Sequence, residues 1–308
     1  MHAYTLTAYG SDGLVIGQVP VPPVGDGQVK VRVEHVAIDP LDWKIRNGYL
    51  ADALPLELPA VLGMSMAGTV VETGPGVEDL VPGDRVAGYA DTGAYAEVTV
   101  SRRERLTHVP DGLDLVRAAA VATAAEAAQR VLGLVAGLGV APGSTVVVNG
   151  AAGAVGSATT QLLVAAGHRV VGTASPSNHD YLRRLGAAPV GYGETMLEEL
   201  RRAAPGGSDA AVDTAGHDFV ARVEDVLAPQ RIVTTVDFEA ASRGAVVAGG
   251  DPRQLTAATI GAVLDQVAAG AFVVEVDSTY PFDRLPEALA RSEAGHLRGK
   301  IVVSGPAA

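Results

Sequence analysis

The chain has 308 residues, of which 48% are hydrophobic and 19% are charged, a balance typical of globular proteins that excludes a mostly disordered chain. Its length favours two domains, because one domain usually holds roughly 100–200 residues. The net charge of −12 argues against nucleic-acid binding, which needs a basic surface, and the absence of cysteine excludes disulfide bridges and thiolate metal ligands.

The part of the chain before residue 113 is predicted to be all-β. Short runs such as Val29–Val36 alternate apolar and polar residues, which is the period of a half-buried strand. Clusters of glycine, proline and aspartate separate these runs, at Pro20–Gly27, Thr73–Val77 and Pro82–Asp84. Many short strands at close spacing predict a small barrel or sandwich.

The middle of the chain alternates strands with helices. After a helix at Leu115–Val135, the predicted strands are Thr145–Asn149, Arg169–Ala174, Pro189–Gly191, Asp209–Asp213 and Arg231–Val236. The helices predicted between them are Ala154–Ala166, Asn178–Leu185, Thr195–Ala203 and Asp218–Leu227. This alternation predicts a parallel sheet, and the continuously apolar strands indicate that helices cover both of its faces.

The last part of the chain is expected to return to the first domain. After Pro252 the pattern predicts a helix of about 18 residues, followed by strands at Val273–Val276 and Lys300–Val303. We therefore expect one domain to comprise residues 1–112 and 252–308, and the other to comprise residues 113–251.

A glycine-rich turn lies between the first strand and the first helix of the alternating region. It reads NGAAGAVG and contains the candidate ligands Gly150, Gly153, Ala154, Val155 and Gly156. Glycine allows a tight turn and close approach of a pyrophosphate, while N–H groups at a helix start suit phosphate oxygens. The pattern also fits a strand–helix turn without a ligand, but its context favours a dinucleotide site.

The next strand predicts which dinucleotide binds. Chains that bind NAD usually carry an acid about 20 residues after the glycines, to hold the ribose hydroxyls. Here Thr173–Ser175 holds no acid, which favours NADPH. The candidate donors to a 2′-phosphate are Ser175, Ser177, Asn178 and Tyr192, with His179 as a further candidate. The same loop also fits a helix N-cap, and it contains no lysine or arginine. The remaining candidates for cofactor contact are Thr173, Ala215 and Lys300, the last being equally suited to a surface position.

Several sequence strings, in one order and nearly end to end, resemble a single family. They are DPLDWKIR at Asp39–Arg46, the stretch Leu62–Asp84, GAYAE at Gly93–Glu97, VGTASPSNHDYLRRLGA at Val171–Ala187, DTAG at Asp213–Gly216 and HLRGKIVV at His296–Val303. The chain thereby resembles the zinc-free quinone oxidoreductase and enoyl reductase-like branch of the medium-chain dehydrogenase/reductase superfamily. The resemblance implies an α/β protein with a GroES-like β-rich catalytic domain and a doubly wound Rossmann domain. It also implies NADPH-dependent reduction of a quinone or an activated C=C bond, often by a homodimer.

The chain departs from that family at the expected active site. Asp39 stands where asparagine is common and Ser65 where an acid is common, while Ala127, beside Glu126, replaces a threonine. Such changes suggest an altered substrate, altered chemistry or weakened catalysis.

Lys44 is the first candidate for a catalytic residue, because its position in the family is often tyrosine or lysine. It can donate a hydrogen bond to the substrate oxygen or a proton to carbon, with Asp39 or Asp42 orienting it. The alternative is a solvated ion pair between Asp42 and Lys44. The residues predicted to line the substrate pocket are Tyr49, Ser65, Tyr89 and Glu126, although the tyrosines also fit plain packing.

The sequence predicts no metal site, since cysteine is absent and the seven histidines show no ligand spacing. The N-terminus lacks the pattern of a signal peptide, and no apolar stretch is expected to span a bilayer. We therefore expect a cytoplasmic protein that takes a small-molecule substrate and has no membrane or nucleic-acid partner. Two alternatives remain open: a non-reductive enzyme of the same fold catalysing dehydration, isomerisation or cyclisation, and a non-catalytic NADPH-binding sensor.

Overall fold

The computed structural model describes residues 1–306. The chain divides into two compact units. Unit 1 comprises Met1–Thr123 and the segment that begins at Pro252, and unit 2 comprises Ala124–Asp251. The division falls inside a helix at Thr123, rather than after residue 112 as the sequence predicts.

The first part of unit 1 consists mainly of strands. Its elements are β1 (His2–Leu6), β2 (Leu14–Gln18), β3 (Gln28–Ile38), α1 (Pro40–Arg46), β4 (Ala60–Val61), β5 (Ser65–Thr73), β6 (Arg85–Tyr89), β7 (Val98–Arg102) and β8 (Leu106–His108). The helix α1 corrects the all-β prediction for this region. Pro40 opens the helix with a preset φ, and the carboxylate of Asp42 accepts the N–H of Asp39 at 2.8 Å, which stabilises the helix start.

Unit 2 follows the predicted alternation. The long helix α2 (Leu115–Gly137) contains the division between the units. After it come β9 (Thr145–Asn149), α3 (Ala154–Ala165), β10 (Arg169–Thr173), α4 (His179–Arg184), β11 (Ala187–Val190), α5 (Met196–Ala203), β12 (Ala210–Asp213), α6 (Phe219–Val223), β13 (Ile232–Thr234) and β14 (Val246–Val247).

The C-terminal segment belongs to unit 1. Its elements are α7 (Ala258–Ala268), β15 (Val276–Tyr280), α8 (Leu285–Glu293) and β16 (Lys300–Ser304). The helix α7 is shorter than predicted because a separate 3-10 turn occupies Pro252–Gln254. The strand predicted at Val273–Val276 begins only at Val276, and α8 is an element that the sequence analysis missed.

The main sheet of unit 1 joins distant parts of the chain. Its strand order is β15-β16-β3-β5-β6-β8, with β7 also paired to β3, and a smaller sheet has the order β2-β1-β4. The strand β16 is antiparallel to β3, with Val302 opposite Ala37. The apolar core of this unit includes Val33, Met66 and Ile301, which are buried on the adjacent strands β3, β5 and β16.

The sheet of unit 2 is parallel, with the order β11-β10-β9-β12-β13-β14. Val146 and Val148 of β9 are buried in one apolar cluster with Leu163 and Leu182, whereas Val147 is buried in another with residues of α5 and α6. Helices therefore cover both faces, and the doubly wound Rossmann prediction is confirmed. The order reverses between β9 and β12, which is where ligands bind in open parallel sheets.

The helix α2 corrects one expectation of the sequence analysis. Its 23 residues are long and apolar enough to cross a membrane by length and composition, so the prediction that no stretch qualifies is wrong. In the structure 61% of its most apolar window is buried inside the protein, which is the behaviour of a core helix.

Candidate active site

The glycine-rich turn after β9 lies at the carboxyl edge of the unit 2 sheet. Gly150 has a φ of +74°, and a Cβ there would lie 2.6 Å from the Cβ of Ala215. A Cβ at Gly156 would lie 2.2 Å from the carbonyl oxygen of Gly150. A Cβ at Gly153 would meet nothing closer than 3.4 Å. The turn itself therefore requires glycine at positions 150 and 156, whereas packing within the protein does not require a glycine at position 153.

The start of α3 offers free backbone donors next to Gly153. The N–H groups in the first turn of a helix have no partner within the helix. No side chain caps this helix start, and among residues 1–306 no acceptor is recorded for the N–H groups of Ala154 and Val155. Donors in this arrangement, at the positive end of the helix dipole, suit a phosphate.

A buried hydrogen-bond network holds the turn in place. The Asn149 amide donates to Asp213 Oδ1 at 2.8 Å, and its oxygen accepts the Thr173 hydroxyl hydrogen at 2.7 Å. Thr173 Oγ1 in turn accepts the N–H of Gly150 at 3.0 Å. Thr173, predicted to contact a cofactor, is buried, and its hydroxyl supports the turn from inside.

The loop after β10 presents polar side chains at the same edge of the sheet. Ser175 Oγ lies 3.0 Å from Ser177 Oγ and accepts the Asn178 amide hydrogen at 3.1 Å. Tyr192, which follows β11, is 55% exposed. The sequence of this loop contains no carboxylate, so its hydroxyl and amide groups remain compatible with an anion.

The loop after β12 holds strained backbone. Gly216, His217 and Asp218 have φ values of +74°, +55° and +56°. Left-handed conformations in consecutive non-glycine residues cost energy and cluster at ligand sites. The exposed Ala215 belongs to this loop, whose fold depends on Asp213 Oδ1 accepting the Gly216 N–H at 2.8 Å. The sequence analysis missed His217 and Asp218, because the DTAG string alone gives no sign of backbone strain.

In unit 1, Asp39 is the centre of a buried polar cluster. Its Oδ1 pairs with the ammonium group of Lys300 on β16. Its Oδ2 accepts hydrogen bonds from Ser65 at 2.7 Å and from Thr123 at 2.9 Å, and these two hydroxyls also contact each other. Thr123 was missed, because its position on α2 carries no motif.

Two sequence-predicted residues have unexpected surroundings in this cluster. Lys300 is only 4% exposed, so the interpretation of a surface residue is wrong, and its ammonium is bound to a carboxylate. Ser65, predicted to line a substrate pocket, is buried and donates to Asp39. A contact of Lys300 with a cofactor phosphate remains a prediction.

Asp42 lies next to this cluster and is also buried. Its Oδ2 accepts hydrogen bonds from the Tyr95 hydroxyl at 2.8 Å and from the N–H of Asp39 at 2.8 Å. Burial, followed by the charge of Asp39, raises the pKa of Asp42 from 3.8 to about 7. Burial and the neighbouring Asp42 likewise raise the pKa of Tyr95 well above its usual value.

Lys44 is oriented differently from the prediction. Its ammonium lies 5.6 Å from the centre of the Trp43 ring, and burial lowers its pKa. Among the described residues the Lys44 ammonium has no hydrogen bond or ion pair, so the interpretation of a solvated pair with Asp42 is wrong. Tyr49 is 69% exposed and packs edge-on against Trp43, with ring centres 6.3 Å apart.

The last two candidates for the substrate pocket lie in different units. Tyr89 of unit 1 is buried, donates to the Ala122 carbonyl oxygen at 3.2 Å and has the Arg105 guanidinium 5.4 Å from its ring centre. These contacts match the packing alternative. Glu126 of unit 2 pairs with Arg130 at 3.1 Å, and Arg130 donates to a carbonyl oxygen beyond β14.

Within residues 1–306, no group of three or more histidine, aspartate or glutamate side chains is placed to hold a metal ion. Cysteine is absent from the whole sequence. The donor set therefore does not fit a zinc site built from cysteine and histidine.

Comparisons with known proteins agree with this architecture. Residues 25–111 match the family described as alcohol dehydrogenase GroES-like domain, and residues 185–303 match zinc-binding dehydrogenase. The dehydrogenase orsE of Emericella nidulans is 32% identical over 253 residues, covering 73% of this chain and 70% of its own length.

Two solved structures share nearly the full length. The quinone oxidoreductase from Coxiella burnetii has 26% identity and a TM-score of 0.87, covering 99% of both chains. A mycobacterial protein, Rv1454c, solved in complex with NADPH, has 26% identity and a TM-score of 0.83, covering 99% of this chain and 100% of its own. This chain is thus an oxidoreductase of the medium-chain dehydrogenase/reductase superfamily, and within it belongs to the quinone oxidoreductase and enoyl reductase-like proteins.

Proposed function

We propose that this protein is an NADPH-dependent, zinc-independent reductase of quinones or of activated C=C bonds. The observation that carries the proposal is the turn at Gly150–Gly156, where the free N–H groups of Ala154 and Val155 open α3 beside the switch point of the sheet. A glycine at position 153, which packing does not require, leaves room for a pyrophosphate to approach the backbone.

The choice of NADPH over NADH rests on the loop after β10. Ser175 and Asn178 supply a hydroxyl and an amide that already contact each other, with no carboxylate to repel a 2′-phosphate. The mycobacterial relative bound to NADPH supports the same choice. When bound, the reduced nicotinamide supplies a hydride.

The residues of this chain have separable parts in the proposed reaction. The backbone around Gly153 binds the diphosphate, and Ser175 with Asn178 holds the adenosine phosphate. The network of Asn149, Asp213 and Thr173 keeps the turn in its shape. In unit 1, Lys44 can donate a hydrogen bond to the quinone or enone substrate. Lys300 is not available for this, because its ammonium is already paired with Asp39.

The donor set supports zinc independence. A reductase whose side chains stabilise the negative charge that develops on the substrate oxygen needs no metal ion for this purpose. Treatment with a strong chelator should therefore leave activity unchanged, and metal analysis should find less than one zinc per chain. Loss of activity that zinc restores would contradict this part of the proposal. A cytoplasmic location and a homodimer remain predictions.

The direct test mixes the protein with NADPH and a panel of quinones and enones, following the absorbance of reduced nicotinamide. Oxidation that depends on the acceptor supports the proposal. Binding of NADPH without turnover would favour a non-reductive enzyme or a sensor, and failure to bind either dinucleotide would remove the cofactor assignment.

Cofactor preference has its own test in Ser175→Asp. The new carboxylate repels the 2′-phosphate and accepts hydrogen bonds from ribose hydroxyls, so the ratio of kcat/KM for NADPH over NADH should fall by about tenfold or more. An unchanged ratio in Ser175→Asp would show that the adenosine site lies elsewhere.

A further inference from the structure

The lysines of this chain separate into paired and unpaired groups. The sequence contains only three, Lys30, Lys44 and Lys300. Lys30 pairs with Glu72 at 2.5 Å, and Lys300 pairs with Asp39. The Lys44 ammonium has no hydrogen bond or ion pair in the part of the chain that the structure describes, although the chain carries a net charge of −12 and carboxylates are abundant. Its ammonium is available for an anion from outside the chain.

The position of Lys44 limits how that anion can approach. Lys44 lies near the end of α1, whose Asp42 and Arg46 are buried. Its ammonium lies 5.6 Å from the centre of the Trp43 ring, so the side chain is directed along an aromatic surface and not freely into solvent. Partial burial has already removed part of the hydration of the ammonium, and this strengthens its attraction for a negative partner.

The aromatic neighbours of Lys44 add an apolar surface. Trp43 is partly buried against the apolar core of unit 1, which fixes the ring that lies beside the ammonium. Tyr49 packs edge-on against Trp43 and is 69% exposed, so its ring is accessible from outside. An ammonium beside two aromatic rings matches a planar ligand that carries a negative charge.

We propose that Lys44, Trp43 and Tyr49 form a binding site for an anionic planar acceptor, in which the ammonium holds the anionic group and the two rings hold the conjugated body. This inference rests on the proposed function, because it names the class of acceptor that the reductase takes. It assigns Lys44 to substrate selection.

A kinetic test compares 1,4-naphthoquinone with its 2-sulfonate, which carries the same ring and one fixed negative charge. Lys44→Gln should lower the ratio of kcat/KM for the sulfonate over the neutral quinone by about tenfold, the usual size of a charge-assisted contact. Lys44→Arg should keep most of the ratio. Comparing the ratio between variants removes the effect of the sulfonate on the redox potential of the quinone.

Lys30→Gln is the matched control, because it also lowers the net charge of −12 by one unit and Lys30 is engaged with Glu72. It should leave the ratio unchanged. An equal fall with both acceptors in Lys44→Gln would overturn the proposal and assign Lys44 to the reacting oxygen. An equal shift of the ratio in Lys30→Gln would also overturn it, since the effect would then be one of net charge.

A binding test stands even if the protein turns over no quinone. Reductive methylation with ¹³C-formaldehyde labels accessible lysines and keeps their charge, and loss of a signal in Lys44→Gln identifies the Lys44 resonance. Addition of redox-inert naphthalene-2-sulfonate should shift that resonance, whereas the neutral naphthalene-2-sulfonamide should not. A shift without NADPH oxidation would support the anion site while contradicting the reductase. An unshifted resonance at millimolar sulfonate would contradict the anion site alone.

Discussion

The two units each bury a carboxylate, and they stabilise it by different means. In unit 1 Asp39 has a cationic partner, Lys300, together with hydroxyl donors. In unit 2 Asp213 accepts hydrogen bonds from the Asn149 amide, the Thr234 hydroxyl and backbone N–H groups, with no cation in contact among the described residues. The comparison shows that a buried charge is stabilised either by one ion pair or by several dipoles. Removing one partner should therefore lower the free energy of unfolding by different amounts in the two units.

The largest expected effect comes from removing the cation in unit 1. Lys300→Met leaves the Asp39 carboxylate buried without its counter-ion, so the free energy of unfolding should fall by about 3–5 kcal/mol. Urea unfolding measures this loss. Lys30→Met, which breaks the more exposed pair with Glu72, should cost about 1 kcal/mol or less. Equal losses of unfolding free energy in Lys300→Met and Lys30→Met would show that the burial of an ion pair does not determine the cost of breaking it.

The carboxylate in unit 2 should be less sensitive to a single change. Asp213→Asn keeps one acceptor oxygen for the N–H groups of Ala215 and Gly216, but removes the charge that strengthens these bonds. The free energy of unfolding should fall by about 1.5–3 kcal/mol, and NADPH should bind more weakly because the strained loop loosens. Urea unfolding and fluorescence titration measure the two effects. A loss larger than that of Lys300→Met would reverse the comparison.

The pH dependence of the unfolding free energy is expected to reflect a carboxylate of unit 1, Asp42. In unit 1 the pKa of Asp42 is raised from 3.8 to about 7, so the folded protein binds this proton more tightly than the unfolded chain does. Its contribution to stability is therefore complete below about pH 4 and is lost as the pH rises through 7.

Asp42→Asn removes this titration. Between pH 5 and pH 7 the difference in unfolding free energy between wild type and variant should change by about 1.4 kcal/mol per pH unit, the slope for one proton. Urea unfolding at several pH values measures it, with Asp213→Asn as the comparison from unit 2. Parallel pH curves for wild type and Asp42→Asn would contradict the raised pKa.

The smallest effect on stability, and the most selective effect on binding, should come from the glycine turn. Gly153→Ala places a methyl group 3.4 Å from its nearest neighbour at a backbone conformation that alanine can adopt, so stability should change by less than about 1 kcal/mol. NADPH affinity should fall about tenfold, because the methyl group occupies the approach of the pyrophosphate. Gly150→Ala, with a φ of +74° and a 2.6 Å contact, should instead destabilise the fold by about 1–3 kcal/mol.

Thermal unfolding and NADPH titration distinguish these two glycine variants. If Gly153→Ala binds NADPH like the wild type, the diphosphate does not lie against this turn, and the proposed function loses its main support.

The sequence predicted unit 2 better than unit 1, for a physical reason. Strands such as Thr145–Asn149 are buried on both faces, so their continuous apolar runs and intervening helices can be recognised locally. The short helices α1 and α8 begin with proline in their first turn and span few turns, which leaves little periodicity to detect. Missing α1 also produced the wrong pair of Asp42 and Lys44, because residues two apart on a helix do not face each other.

The candidate site likewise has parts that the sequence predicts and parts that it does not. The glycine turn and the acid-free loop were recognised because each is a contiguous string with a known backbone geometry. The pairing of Asp39 with Lys300 spans 261 positions, and no local pattern links the two. The position of the half-buried Thr123 beside Ser65 likewise depends on where α2 lies relative to β5, which only the folded chain determines.

The pairing of β16 with β3 has a consequence for synthesis. The strand that carries Lys300 leaves the ribosome 261 residues after Asp39. At about 5–20 residues per second, the carboxylate waits on the order of tens of seconds for its counter-ion. All strands of the inserted parallel sheet are synthesised before the final strand, so unit 2 is expected to fold before the main sheet of unit 1 is completed.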